Sequence, residues 1–415
     1  MSTPSSCDET DLEALTVEQA LARVLDTVEP VGGSERVDLR SAHGRVLAHA
    51  VSAPFDVPPH ANSAMDGFAL RHADLATGER LHIVGEAFAG RPYRGEVGAG
   101  ECVRVMTGGV VPHDTDTVVQ QEHVAVEGDG IRVQRSPQAG ANIRHPGEDL
   151  RAGATVLSAG QRLGAAELGL LASLGLAEID VRRLPRVAYF STGDELRAAG
   201  EELREGDIYD SNRITLHGLL SDAGVHAIDL GHLPDDEAIT RGAMAQAAEQ
   251  ADLIVTTGGA SVGDADFVTR ILREGGGAGF WKIAMKPGRP LNFGRFGNAL
   301  FFGLPGNPVS AMVTFALFVR PAIKRLRGEA YVPPLVLHAV TRSALRKVPG
   351  RTDFQRGRLT QHSDGTLEVE AAGIQASHIL SGMSRANCLI RLPRESASVE
   401  AGAAVEVIPF HELFR

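Results

Sequence analysis

Apolar residues recur along this chain with two different periods. Thr16 and Gln19 stand three apart ahead of Leu21, Val24 and Leu25, a spacing that predicts a helix opened by a capping box. From 37 to 53 the pattern shortens to apolar alternation, and Pro54, Pro58 and Pro59 then break it, so the chain is expected to cross into another module there. The runs at 81–84, 103–106, 118–120 and 131–134 predict short strands and a small β domain. An apolar helix is expected again near 166–174, so that β domain is expected to be an insertion within a parent domain.

From about 186 to 327, short apolar runs alternate with helical periods. Runs at 187–190, 225–230, 253–257, 280–284 and 299–302 predict strands. Leu216, Leu219, Leu220 and Ala223, in i, i+3, i+4, i+7 order before Gly224, predict one of the intervening helices. Such alternation predicts a three-layer α/β domain with a mostly parallel sheet, in which ligands bind beyond the carboxyl ends of the strands. The residues after each run therefore carry the functional argument. They are Ser191-Thr192-Gly193-Asp194-Glu195, Leu233-Pro234-Asp235-Asp236, the loop from Gly258, Lys286-Pro287-Gly288-Arg289-Pro290, and Leu304-Pro305-Gly306-Asn307-Pro308. All five are polar or glycine-rich, which points to a shared pocket.

The third of these ends has the clearest local chemistry. Gly258, Gly259, Ala260, Ser261, Val262 and Gly263 remove side chains where backbone amides approach an anion, and Ser261 adds a hydroxyl. Val268, Ile271 and Leu272 predict a helix after the loop, with Asp264 as its N-cap. Strand, glycine loop and helix N-terminus together make an anion site. A tight strand-to-helix turn accounts for the same glycines.

Two smaller motifs lie in the β domain. Asp66-Gly67 sits in the apolar setting of 62–69, where a turn explains it as well as a site does, and Thr107-Gly108-Gly109 ends a predicted strand. After Gly328 and Pro333-Pro334, runs at 335–340, 367–369, 388–392 and 404–408 predict a small β barrel or sandwich. Arg351, Asp353, Gln355, Arg356 and Ser377 are read as its polar turn residues, part of a basic loop able to close a neighbouring anionic site.

Composition narrows the function. The 415 residues suggest about three domains. A net charge of -11 argues against a nucleic-acid partner. No apolar run approaches the roughly 18 residues of a membrane span, and the N-terminus is polar and acidic, so a cytoplasmic protein is expected. Cys7, Cys102 and Cys388 are far apart and lack metal-ligand spacing. Glu195, Asp235, Asp236, Asp264 and Asp266 repel one another unless a cation joins them, and hard oxygen ligands near phosphate suit Mg²⁺. Lys282, Lys286 and Arg289 supply charge for oxyanions, and Lys282 falls in a run predicted to be a buried strand. The expected ligand is a phosphate-bearing substrate with a second anion and a divalent metal.

Taken together, the motifs resemble those of the molybdopterin molybdenumtransferase family, which includes the homologous C-terminal domain of gephyrin. The pieces are Ser63-Ala64-Met65-Asp66-Gly67, Met106-Thr107-Gly108, Gly147-Glu148-Asp149, Ser191-Thr192-Gly193-Asp194-Glu195-Leu196, Gly258-Gly259-Ala260-Ser261-Val262-Gly263, Lys286-Pro287-Gly288 and Leu304-Pro305-Gly306-Asn307-Pro308-Val309-Ser310. They run in the family's order across nearly the whole chain. Gly109-Val110 departs from the Ala-Pro that often follows the Thr107 motif.

The resemblance implies a discontinuous N-terminal linker domain (1–56 and 146–185), an inserted β domain (57–145), an α/β molybdopterin-binding domain (186–330) and a C-terminal β barrel (331–415). It implies an L-shaped homodimer, with the cleft between the α/β domain of one subunit and the inserted domain of the other. The implied reaction joins adenylylated molybdopterin and molybdate, assisted by a divalent cation such as Mg²⁺, to give molybdenum cofactor and AMP. Attack on the adenylate phosphorus by water or by a molybdate oxygen both stay open.

By motif match, Asp66, Thr107, Glu195, Asp235, Asp266, Lys282 and Lys286 are the implied catalytic residues, with Glu195, Asp235 and Asp266 on the metal. Gly258, Gly259, Ser261, Gly263, Pro305, Gly306, Asn307, Arg356 and Ser377 are the implied substrate-binding residues. A molybdopterin adenylyltransferase is a candidate partner. Two alternatives are that adenylyltransferase activity itself, usually carried by a single α/β domain, and a gephyrin-like scaffold without catalysis.

Overall fold

A computed structural model describes residues 14–258, 267–274 and 278–414, in two units. One comprises 14–36, 44–46 and the described residues from Asp180 onward; the other comprises Val37–His43 and Leu47–Ile179.

The chain opens with α1 (Val17–Thr27). The expected capping box is present: the Thr16 hydroxyl accepts from Gln19 N at 3.1 Å, and Gln19 Oε1 accepts from Thr16 N at 2.9 Å. Val17, Ala20 and Val24 form its buried stripe.

The inserted unit is built on β1 (Gly67–Leu70), β2 (Leu81–Ala87), β3 (Glu101–Val105), β4 (Thr117–Gln120), β5 (Val124–Glu127) and β6 (Gly130–Val133), in the order β4-β1-β3-β2-β6-β5. The four predicted strands are present, but β1 and β5 carry no clear period. β1 is wholly buried between β3 and β4, so its side chains do not alternate between apolar and polar. Gly67 is required there, because a Cβ would lie 2.0 Å from Val119 O. The helix predicted near 166–174 is α2 (Ala165–Ser173).

In the larger unit, β7 (Arg186–Thr192), β8 (His226–Leu233), β9 (Leu253–Thr257), β10 (Ala278–Lys282), β12 (Pro290–Phe296) and β13 (Ala299–Leu304) form a sheet ordered β8-β7-β9-β13-β12-β10. β7, β8, β9 and β13 are parallel. β12, which the hydrophobic pattern does not announce, is antiparallel to both β13 and β10. β10 therefore runs with the parallel strands, and all five predicted strands end at one edge.

Alternation within the strands sorts side chains into two cores. Val187, Tyr189, Leu253 and Val255 join Leu216, Leu219 and Leu220 of α3 (Ser211–Asp222) on one face. Ala188, Phe190 and Ile254 join Met244 of α4 (Glu237–Gln250) and Val268, Ile271 and Leu272 of α5 (Phe267–Glu274) on the other. These are the three expected layers. α6 (Pro308–Thr314) runs through a π-helical turn at Phe315–Val319 into α7 (Arg320–Leu326).

The C-terminal strands β14 (Leu337–Thr341), β15 (Thr352–Gln361), β16 (Leu367–Ala371), β17 (Cys388–Leu392) and β18 (Ala404–Pro409) pair in the order β15-β16-β14-β18-β17, and β17 returns to β15, closing a barrel. The two-residue strand β11 (Met285–Lys286) pairs in parallel with β15. β15 corrects the sequence reading, in which Asp353, Gln355 and Arg356 were turn residues. They belong to a strand, and all three are buried. The strand is not announced by the pattern because its buried positions include polar side chains that line a cavity.

Candidate functional site

The strand ends of the larger unit are joined by specific polar contacts. At the end of β7, the buried Ser191 hydroxyl donates to the Asp210 carboxylate, which also caps α3 by accepting from Arg213 N. Gly193 follows at φ +143°, and Gly258, after β9, at φ +86°; a Cβ on Gly258 would lie 2.7 Å from Thr192 O and Oγ1. Glycine is therefore imposed by both backbone conformation and crowding. The β7 and β8 ends are stitched together: Asp235 N donates to Asp194 Oδ1 at 3.0 Å, and His232 Nε2 to Gly193 O at 2.7 Å. Glu195 and Asp235 present exposed carboxylates on these stitched loops.

A cavity of about 760 Å³ opens beside the β11 and β13 ends. Lys286, Arg289, Pro305, Gly306, Asn307 and Ser377 line it, together with Arg351 and His378. Its cationic side chains and small backbone-rich segments are groups of the kind that bind oxyanions. The two lining segments are tied to each other, Val309 N donating to Ser377 O at 3.1 Å. From the far side, Asn212 Nδ2 donates to Gly306 O at 2.7 Å. Glu195, Asp235, Gly258 and Lys282 lie outside this cavity's lining.

A second cavity of about 420 Å³ shares Lys286 with the first and is lined by Asp353, Gln355, Arg356 and Gln375. Lys286 is the register partner of Asp353. Burial pushes the Asp353 carboxyl above its ordinary range, against hydrogen bonding from Gln355 and the fields of Lys286, Lys347 and Arg351. Arg356 is buried with its guanidinium on the carbonyls of Ile374 (Nη2, 2.5 Å) and Ala376 (Nη1, 3.1 Å), bracing the segment that carries Ser377. Burial lowers its pKa from the ordinary value.

Lys282 needs a correction. The pattern placed it in a buried strand; it stands exposed at the carboxyl end of β10, because β10 is the edge of the sheet and Phe280 and Trp281 are only half-buried. Gly259, Ser261, Gly263, Asp264 and Asp266 lie outside the described residues.

In the inserted unit, Asp66 immediately precedes β1. Its Oδ1 accepts from Thr107 N and Thr107 Oγ1, both at 2.8 Å. These bonds, the amide first, hold the Asp66 carboxyl below the ordinary carboxylate value. The loop is pinned despite the Gly109-Val110 departure: Gly108 N donates to Ser63 O at 2.8 Å and Ser63 N to Gly109 O at 2.9 Å. A Cβ at Gly109 would lie 2.7 Å from Ala87 O.

The sequence matches three family models in order: the MoeA N-terminal region (domains I and II) over residues 15–175, a probable molybdopterin binding domain over 188–325, and the MoeA C-terminal region (domain IV) over 338–410. A molybdopterin molybdenumtransferase from Haemophilus influenzae is 43% identical over 401 residues, 96% of this chain and 99% of that protein. The chain belongs to the molybdopterin molybdenumtransferase family.

Another member, from Bacillus subtilis, is 32% identical over 96% of this chain and 94% of its own length. The crystal structure of a molybdopterin biosynthesis MoeA protein from Pyrococcus horikoshii superposes with a TM-score of 0.82 at 30% identity, covering 95% of this chain and 100% of that one. For a molybdopterin molybdenumtransferase family member, the first cavity and the glycine-bearing strand ends fall within the matched molybdopterin-binding and C-terminal regions.

Asp194, Asn212 and Gln375 belong to the site's framework but are not singled out by the sequence. Asp194 stands in the 191–196 motif, beside Glu195. Asn212 and Gln375 carry no sequence signal, since their relevance depends on contacts between distant segments.

Proposed function

We propose that this chain inserts molybdenum into molybdopterin, taking adenylylated molybdopterin and molybdate as substrates and releasing AMP. The observation that carries this reading is the cavity of about 760 Å³ in which Lys286, Arg289 and Arg351 converge beside Gly306 and Asn307. A tetrahedral dianion is stabilised by fixed cations and backbone donors that need no reorganisation during reaction. Water adding to the adenylate phosphorus, or a molybdate oxygen adding there followed by hydrolysis of the mixed anhydride, breaks the phosphoanhydride to give AMP and the pterin phosphate. The two dithiolene thiols replace one oxo group of molybdate, which leaves as water with their protons, and molybdenum stays hexavalent.

No three metal-ligating side chains come together among the described residues, but Glu195 and Asp235 are exposed carboxylates, hard oxygen donors of the kind a divalent cation takes, on loops that hydrogen bonds hold together. They would hold Mg²⁺, with Asp266 as the further acid named from sequence. The ion would supply neutralisation of phosphate charge. Lys286 neutralises the oxyanion, the Pro305-Gly306-Asn307 segment orients the substrate, and Lys282 at the β10 end adds positive charge along the same sheet edge. Asp66, kept ionised by Thr107, orients substrate from a second copy of the chain in a cytoplasmic homodimer. An adenylyltransferase that makes the substrate is the natural upstream partner.

The experiment is AMP release and cofactor formation from purified protein given adenylylated molybdopterin, Mg²⁺ and molybdate, with Asp66→Ala and Lys286→Ala alongside. Molybdate-dependent release by the wild type and failure of both variants supports the reading, and recovery of activity on mixing the two variants supports the shared site. Absence of turnover by the wild type overturns it in favour of a scaffold.

A further inference from the structure

The Pro305-Gly306-Asn307 segment lines the first cavity, and Asn212, a residue of α3 outside that lining, reaches it. Asn212, in the first turn of the helix, donates from Nδ2 to Gly306 O at 2.7 Å. The amide orientation is fixed by chemistry, because flipping it would set Oδ1 against a carbonyl oxygen. Asn212 Oδ1 is buried and finds no partner among the described residues, so the side chain gives up one hydrogen bond in order to make the other.

The geometry assigns Asn212 as a positioning residue for the pterin substrate: by holding the Gly306 carbonyl toward α3, it turns the Asn307 amide toward the cavity. In a planar trans peptide the C=O of one residue and the N–H of the next point in opposite directions, so fixing one fixes the other. Gly306 makes this device necessary. It is exposed, nothing lies within 4 Å of where its Cβ would be, and without an anchor its peptide plane would sample several orientations. The far end of the segment has its own ties, Val309 N to Ser377 O and Ala311 N to Asn307 O, whereas Asn212 holds the carbonyl of the Gly306–Asn307 peptide itself.

The same α3 turn reaches the other half of the sheet edge. Asp210, two residues before Asn212, accepts from Ser191 at the end of β7. One helix start therefore sets the spacing between the loops that follow β7 and β13. This assignment rests on the molybdenum-insertion reading above.

The test compares wild type, Asn212→Asp and Asn212→Ala in three measurements: equilibrium binding of molybdopterin, steady-state kinetics with adenylylated molybdopterin and molybdate, and amide hydrogen exchange of Gly306 and Asn307. Asn212→Asp keeps the shape and removes the donor. The expected result is molybdopterin binding weaker by about fivefold to tenfold, the loss of one hydrogen bond. A matching rise in KM for the pterin substrate, kcat within about twofold and faster exchange at the two amides would complete it. Wild-type affinity or unchanged exchange in Asn212→Asp overturns the assignment alone. A general loss of all parameters with a lowered Tm overturns it too, by showing a merely structural role. Failure of the wild type to bind molybdopterin overturns the molybdenum-insertion reading first, and the substrate role of Asn212 with it.

Discussion

Thr107 gives both of its hydrogen-bond donors to a single oxygen of Asp66, the amide and the hydroxyl each at 2.8 Å, although 41 residues separate the two in the chain. The carboxylate is thereby held charged and oriented without being buried.

The direction of the Asp66 shift gives a titration test. Its carboxyl should titrate below 3.8 in the folded protein, so it stays ionised at any pH where the enzyme would work. Because the folded pKa is depressed, its contribution to stability is present above the unfolded pKa and is lost as pH falls through the folded one. Thr107→Val should move the midpoint up but leave it below 3.8, since the amide bond remains. Carboxyl-carbon NMR titration of both proteins checks this, and an unmoved midpoint would reject the hydroxyl's part.

Lys286 is expected to act on the oxyanion. A hydrogen bond to a charged group is worth about 1.5–3 kcal/mol, so Lys286→Ala should raise KM for molybdate tenfold or more. Molybdate titration of AMP release measures it. A purely structural lysine would instead lower thermal stability and leave KM alone.

Asp353 opposes Lys286 across the β11–β15 register and lines a cavity with it. Its folded pKa is raised by burial, so the ionised form costs stability: between the unfolded value of 3.8 and the folded one, stability falls as pH rises. Asp353→Asn should therefore leave stability at neutral pH unchanged or improved, and should lower KM for molybdate by removing a negative charge near the anion. Denaturant midpoints and molybdate kinetics at pH 7 would decide it, and a higher KM would show that Asp353 supports binding.

Gly67 is the tightest position in the inserted unit. A methyl group there meets backbone, Val119 O at 2.0 Å, which cannot rotate away. Gly67→Ala should cost about 3 kcal/mol, at the upper end of overpacking effects. It should also disturb the adjoining Asp66. Urea unfolding of the purified variant measures the cost, and a loss below about 0.5 kcal/mol would mean that β1 and β4 can separate locally.

The sequence by itself determined the elements whose two faces both bury apolar side chains, and the order in which they come. β9 at Leu253–Thr257 and β17 at Cys388–Leu392 fall where the apolar runs lie, and the capping box at Thr16 and Gln19 starts α1 as its spacing requires. The glycines at 193 and 258 were legible because backbone conformation restricts which residue can stand there. Tertiary structure alone decided three things. It made β15 a strand, because the buried Asp353, Gln355 and Arg356 face a cavity that no local pattern records. It exposed Lys282, because β10 became the sheet's edge. It recruited Asn212 to the Gly306 loop, across 94 residues of chain. Hydrophobic periodicity reports which face of an element is dry, and that is a local property. A polar side chain's role depends on the partner it meets, and the partner is chosen only when the sheets and helices pack.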